Sequence, residues 1–296
     1  MDRVSGKTVQ RVGLVLATVT LFTGCGRQSA HVDGARNVAD AVTSSDSIRI
    51  AYEAYGEGSP ALVFVHGWSC DRSYWAGQLQ PFSRQFKVVA VDLAGHGESG
   101  LGRETQTMGA FGGDVAAVVE RLGLQRIILI GHSMGGDVIV EAARRLPGRV
   151  AALVWVDAYK RLGTFRTPEQ VQAMVAPFRA DFVETTRGFV RGMFPASADP
   201  SLVERVAADM SSAPPAIAIG ALESAMSFDR EIPRALQELR LPVVAINPDN
   251  APTDTASMRR HGVEIVFMSG VGHFLLMEDP ERFNRVLGTV VDKLVR

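Results

Sequence analysis

The stretch Arg126-Ile127-Ile128-Leu129-Ile130-Gly131-His132-Ser133-Met134-Gly135-Gly136 decides the fold of this chain. Residues 126–130 are branched aliphatics behind one charge and read as a buried strand. Asp137-Val138-Ile139-Val140-Glu141-Ala142-Ala143 then continues as a helix, so the order is strand, sharp turn, helix. A turn this tight needs glycine at both of its ends, where a side chain would collide with neighbouring backbone. It lifts the Ser133 hydroxyl clear of the sheet edge, and the helix behind it directs its N-terminal amides at developing negative charge. The pattern is a nucleophile elbow with Ser133 at its tip.

Working outward, the same alternation recurs on both sides. Short apolar runs at 38–43, 48–55, 61–65, 87–91, 126–130, 150–156, 243–246 and 263–268 read as strands. Ser44-Ser45-Asp46 predicts a hairpin between the first two. Amphipathic segments at 108–122, 133–146 and 280–294 read as crossover helices, which parallel strands require. The rhythm breaks once, between Tyr159 and Pro233, where no strand-like run occurs. There Thr167-Pro168 and Asp199-Pro200 look like N-caps followed by first-turn prolines. The expectation is an α/β protein: a mostly parallel eight-stranded sheet flanked by helices, with a core at 38–158 and 234–296 and a helical cap at 159–233.

Composition agrees with one full-sized core. Of 296 residues, 46% are hydrophobic and 21% charged, which excludes disordered, collagen-like and coiled-coil chains. Lys and Arg total 31 against 32 Asp and Glu, with no basic block to track a phosphate backbone, so nucleic acid is not an expected partner. The two cysteines, Cys25 and Cys70, cannot form a disulfide framework, and Cys70 reads as a lone thiol. At the N-terminus, Arg3, Lys7 and Arg11 precede an apolar run at 12–22, shorter than the ~20 residues a membrane-spanning helix needs. Residues 1–24 therefore read as a signal peptide. Leu21-Phe22-Thr23-Gly24-Cys25 resembles the lipobox of bacterial lipoproteins, with Phe22 where that box usually has Leu. The resemblance implies lipidation at Cys25, a polar tether at 25–37, and an exported chain anchored by lipid to a bacterial membrane, facing the periplasm or exterior.

From residue 38 onward the chain resembles the α/β-hydrolase family, with motifs in family order. Ala61-Leu62-Val63-Phe64-Val65-His66-Gly67-Trp68 looks like the strand and His-Gly turn that complete the oxyanion hole, which implies the backbone N–H groups of Trp68 and Met134 as its donors. His66 itself reads as a loop-holding side chain. The family order Ser, acid, His places the base late in the chain. Of six histidines, His31 lies in the tether, His132 adjoins Ser133 on an extended strand end, and His261 ends a polar helix. His273, in Ser269-Gly270-Val271-Gly272-His273-Phe274 after the last strand, resembles the family's histidine loop.

The acid departs from the common pattern. The loop after strand 243–246 reads Asn247-Pro248-Asp249-Asn250, with Asn250 where the family usually has its Asp. Some members carry the acid at the end of the preceding strand, which here is Asp157. Asp157 is the expected acid and Asp249 the alternative.

One further match is set aside. Gly95-His96-Gly97-Glu98-Ser99-Gly100 fits G-x-G-x-x-G, but loop continues where a dinucleotide fold needs a helix. No histidine pair has H-x-H or H-E-x-x-H spacing, so neither metal nor cofactor is expected.

The implied chemistry is hydrolysis of a small or medium apolar carboxylic ester through an acyl-enzyme on Ser133. Ser133 excludes the carboxylate displacement of haloalkane dehalogenases and epoxide hydrolases, whose elbow nucleophile is Asp. Phenylalanines and methionines in 159–233 supply a largely apolar cleft for a small-molecule acyl substrate. A carbon-carbon hydrolase or perhydrolase would use the same triad, and a non-catalytic ligand-binding protein would keep the scaffold alone.

Overall fold

The computed structural model describes residues 38–296. The address segment 1–24, the tether 25–37 and Cys25 lie outside the described residues. Eight strands form one sheet: β1 (Val38–Thr43), β2 (Arg49–Tyr55), β3 (Ala61–Val65), β4 (Val88–Val91), β5 (Ile127–His132), β6 (Val150–Val156), β7 (Val243–Pro248) and β8 (Val263–Met268). Their order across the sheet is β1-β2-β4-β3-β5-β6-β7-β8. β1 pairs antiparallel with β2 through the expected hairpin, β2 is antiparallel to β4, and every later neighbour is parallel. β3, β4 and β5 are buried along their whole length, as strands covered on both faces must be.

The covering helices are α1 (Ala76–Ser83), α2 (Met108–Arg121), α3 (Gly135–Arg145) and the C-terminal pair α10 (Leu275–Glu278) and α11 (Pro280–Val295), while α9 (Thr255–Arg260) precedes β8. α2 and α3 pack on each other, and α1 packs on α11. Between β6 and β7 lie only helices: α4 (Pro168–Ala180), α5 (Phe182–Arg191), α6 (Pro200–Ser211), α7 (Pro215–Phe228) and α8 (Ile232–Leu239). α4 packs on α5 and α7, and α5 on α6, whereas α8 turns back against α3.

Two starts in this stretch follow from their caps. The Thr167 hydroxyl accepts from Gln170 N and the Gln170 side-chain oxygen accepts from Thr167 N, a closed capping box ahead of Pro168. Asp199 accepts from Ser201 N at 2.9 Å ahead of Pro200.

The glycine-rich segment after β4 turns over residues 94–99 and then runs as irregular chain to Thr107, the N-cap of α2. The buried Asp92 carboxylate accepts from Arg72 N and Glu98 N, both at 2.8 Å, and fills the space a Cβ on Gly97 (φ 51°) would occupy. These glycines serve a loop folded around its own carboxylate. Arg103, buried, ties the following segment to the hairpin turn through Asp46 and to α2 through Asp114, both at 2.6 Å. Among the described residues no helix is long and apolar enough to cross a membrane.

Candidate active site

β5 carries Ser133 to the rim of the sheet, and the chain reverses there into α3. Ser133 has φ 51°, a left-handed conformation costing about 1–3 kcal/mol in a residue with a side chain. Three neighbours hold it: its amide donates to Val156 O at 3.0 Å, Gly136 N donates back to Ser133 O at 2.8 Å, and α3 starts with Asp137 N on Met134 O at 3.0 Å. A Cβ on Gly135 would lie 2.7 Å from His66 O, so this glycine lets α3 approach the end of β3.

Asp157 stands in the same conformation at the end of β6, with φ 45° and its amide donating to Ile246 O at 3.0 Å. Its Oδ2 lies 2.7 Å from His273 Nδ1 and its Oδ1 2.8 Å from Lys160 Nζ. Burial alone would raise its pKa. The His273 ring first, and then the Lys160 ammonium, outweigh burial and hold it below the usual carboxylate value. The carboxylate is therefore ionised at neutral pH and held at the Nδ1 edge of the imidazole.

The loop bearing His273 is fixed from four directions. His273 N donates to Met193 O at 3.0 Å. The Glu278 carboxylate accepts from Gly272 N at 2.9 Å and from Phe274 N at 3.1 Å, closing the loop onto α10. His132 Nε2 donates to His273 O at 2.9 Å, and the two imidazoles lie 4.6 Å apart. Phe274 stacks on Phe194 at 4.9 Å. Burial lowers the His132 pKa to about 3, so it is a neutral ring that holds backbone.

Ser133, Asp157 and His273 line one cavity of about 270 Å³, together with Trp68 and Met134. That volume is at the small end of small-molecule sites, which run from about 300 to 1,000 Å³. Neither the Trp68 nor the Met134 amide donates a hydrogen bond among the described residues. The Ser133 hydroxyl likewise forms no hydrogen bond among them. The Trp68 indole donates to Ala218 O on α7 at 2.7 Å and meets Phe178, Phe182 and Phe189 edge to face. One residue thus joins the β3 loop to the helices inserted after β6. Of their large side chains, Phe178 and Phe182 are buried, Phe189, Met193, Met210 and Met226 reach the cavity wall, and Phe165 and Met174 face outward.

The remaining sequence candidates lie apart. Asp249 is exposed and accepts from Gly270 N at 3.3 Å beside the Ser269 side chain, so the structure brings Asp157 and not Asp249 to His273. His66 is buried, with Nε2 accepting from Leu93 N at 3.1 Å and Nδ1 donating to Gly67 O at 2.8 Å, which fixes the turn before Trp68. His261 caps α9 through Ser257 O. The Cys70 thiol is buried, donates to Trp68 O, and is pushed up by that burial. Sequence reasoning missed Lys160, Glu278 as a loop clamp, and the His132 contact. Only Glu278 had a local signal, as the first acid after the histidine loop. Among the described residues no group of three or more His, Cys, Asp and Glu side chains is placed to hold a metal ion.

Comparison with known proteins is consistent with this arrangement. The chain is 39% identical over 119 residues to a non-heme haloperoxidase of Rhodococcus erythropolis, covering 40% of this chain and 43% of that one. It is 38% identical over 120 residues to a bifunctional esterase/perhydrolase of Acinetobacter calcoaceticus, covering 40% and 44%. The match therefore spans less than half the length of these curated relatives. A thermophilic esterase from Thermogutta terrifontis superposes with a TM-score of 0.74 at 26% identity, covering 88% of this chain and 99% of that one. Residues 62–286 match the alpha/beta hydrolase family, and with the eight-stranded sheet and serine elbow in place, this chain belongs to that family.

Proposed function

We propose that this protein is a serine hydrolase that cleaves small or medium apolar carboxylic esters through an acyl-enzyme. The single observation that carries the reading is the 2.7 Å contact between His273 Nδ1 and Asp157 Oδ2, in the cavity that also holds Ser133. In this reading Ser133 Oγ attacks the ester carbonyl carbon as its proton passes to His273 Nε2, and the amides of Met134 and Trp68 take the oxyanion. Asp157 stays ionised and stabilises the imidazolium. Collapse expels the alcohol, which leaves with the proton from His273. Water, deprotonated by the same nitrogen, then releases the acid. The apolar wall of Trp68, Phe189, Met193 and Met226 favours an uncharged acyl group of modest size.

The test is burst kinetics on p-nitrophenyl esters of increasing acyl length, beside Ser133→Ala, with a serine-directed fluorophosphonate label. Short and medium esters are expected to turn over, and both turnover and labelling to disappear in Ser133→Ala. An unlabelled native protein without turnover overturns the reading in favour of a ligand-binding scaffold. The likeness to the esterase/perhydrolase supports a second reading, in which hydrogen peroxide replaces water in deacylation. Peracid formed from the same esters in peroxide would establish it. A carbon-carbon hydrolase would instead leave all esters untouched while still taking the label.

We also propose that the chain is exported and lipid-anchored through Cys25. On expression in bacteria, Cys25→Ser should move it from the membrane fraction to the soluble fraction and abolish palmitate labelling. Equal partition of both proteins overturns the anchor.

A further inference from the structure

The cavity holding Ser133 is apolar on most of its wall, but Asp137, Tyr159, Arg166 and Asp229 also line it. Asp137 lies four residues beyond Ser133, in the first turn of α3. Its side chain is buried, with the residue 6% exposed, and Tyr159 Oη donates to its Oδ1. Its other oxygen has no hydrogen-bond partner among the described residues. Tyr159 is itself set in place: its ring packs on Trp155 at 4.8 Å and its carbonyl accepts from Asn247 Nδ2 at 2.9 Å. Asp137 ties Tyr159 to the first turn of α3 and keeps a second oxygen free at the cavity, where a polar ligand atom would pair with it.

We propose that Asp137 and Tyr159 form a subsite for a neutral polar group of the substrate, a hydroxyl or an amide, displaced from the scissile carbonyl. This deepens the serine-hydrolase reading and rests on it. Burial holds the Asp137 pKa well above the ordinary carboxylate range, against the opposing Tyr159 hydrogen bond. Asp137 offers an acceptor oxygen to a hydroxyl or amide in either protonation state, and its acid form also donates one hydrogen bond. Asp229 is ion-paired with Arg166, so this part of the wall carries no net charge to draw an ionic group. The subsite selects among esters otherwise alike in size.

The test uses the full-length protein and pH-stat titration of ethyl butanoate, pentanoate and hexanoate against their ω-hydroxy, ω-acetamido and ω-ammonio analogues. A second series carries the same groups in the alcohol. At the best-fitting length the hydroxy or acetamido ester is expected to exceed the plain ester about tenfold in kcat/KM. Asp137→Asn, which keeps a donor and an acceptor, retains most of that ratio. The double variant Asp137→Leu with Tyr159→Phe removes both partners together, leaves no orphaned hydroxyl, and brings the ratio near one. A ratio near one in the native protein at every length and in both series, a preference for the ammonio esters, or a ratio that survives the double variant each overturns the subsite. Turnover that survives Ser133→Ala overturns the serine-hydrolase reading and the subsite with it. Ser133-dependent turnover without polar preference overturns the subsite alone.

Discussion

Asp157 and Asp249 are two carboxylates near the same loop in very different surroundings. Asp157 is enclosed, with His273 on one oxygen and Lys160 on the other, whereas Asp249 is exposed and meets only Ser269 and Gly270 of the loop after β8. In the proposed mechanism, removing the charge from the first leaves an imidazolium unsupported in the acylation transition state. Removing it from the second changes a surface side chain. Asp157→Asn is therefore expected to lower kcat by about 10⁴, the loss seen when a triad aspartate becomes an amide. Asp249→Asn should change kcat less than about twofold, since surface substitutions are commonly worth under about 0.5 kcal/mol. Steady-state hydrolysis of a single p-nitrophenyl ester measures both. The reverse ranking would transfer the acid role to Asp249.

The elbow acts as a unit because β5, the turn and α3 share backbone contacts with β3 and β6. Gly135 is where α3 comes nearest the β3 loop: a methyl group there would meet Val65 O at 2.5 Å and His66 O at 2.7 Å. Backbone would have to move, carrying Ser133 and the Met134 amide with it. Gly135→Ala should cost about 10² in kcat, the scale for a displacement near 1 Å in catalytic geometry. Gly188, inside α5 with open space around it, is the control. Gly188→Ala should leave kcat unchanged and raise stability by about 0.4–1 kcal/mol. Thermal melts beside kcat decide between local displacement and general unfolding: a Gly135→Ala protein that melts early but keeps native turnover would sink the argument.

At the scale of the whole molecule, Trp68 joins parts of the chain far apart in sequence. Its indole bonds to α7 and packs against aromatic rings of α4 and α5, while its backbone stays in the β3 loop. Trp68→Ala keeps the amide but removes this junction, at a cost of about 3–5 kcal/mol for a buried aromatic. Hydrogen exchange measured by mass spectrometry should then rise across 168–228 while the sheet strands keep their protection. KM should increase more than kcat falls, because the inserted helices form the cavity wall. Unchanged exchange in those helices would show that they are held without Trp68.

The strands, the hairpin, the elbow and the caps at Thr167 and Asp199 were legible in the sequence, because each depends on neighbours within a few residues. Apolar runs, glycines at a tight reversal and an N-cap before proline act over one or two turns of chain. Boundaries moved only slightly: β5 runs to His132 and β7 to Pro248, beyond the expected 130 and 246. The sequence also narrowed the acid to two aspartates and the late histidine to His273. It could not place an aspartate beside that histidine, since positions 157 and 273 meet only through the lateral order β6-β7-β8 and the path of the loop after β8. The His132 contact, the Glu278 clamp, the Trp68 junction and the Asp137–Tyr159 pair arise in the same way. Periodicity is a local property that sequence determines, whereas burial and the partners of a polar group are fixed only when distant segments pack, and that the tertiary structure decided.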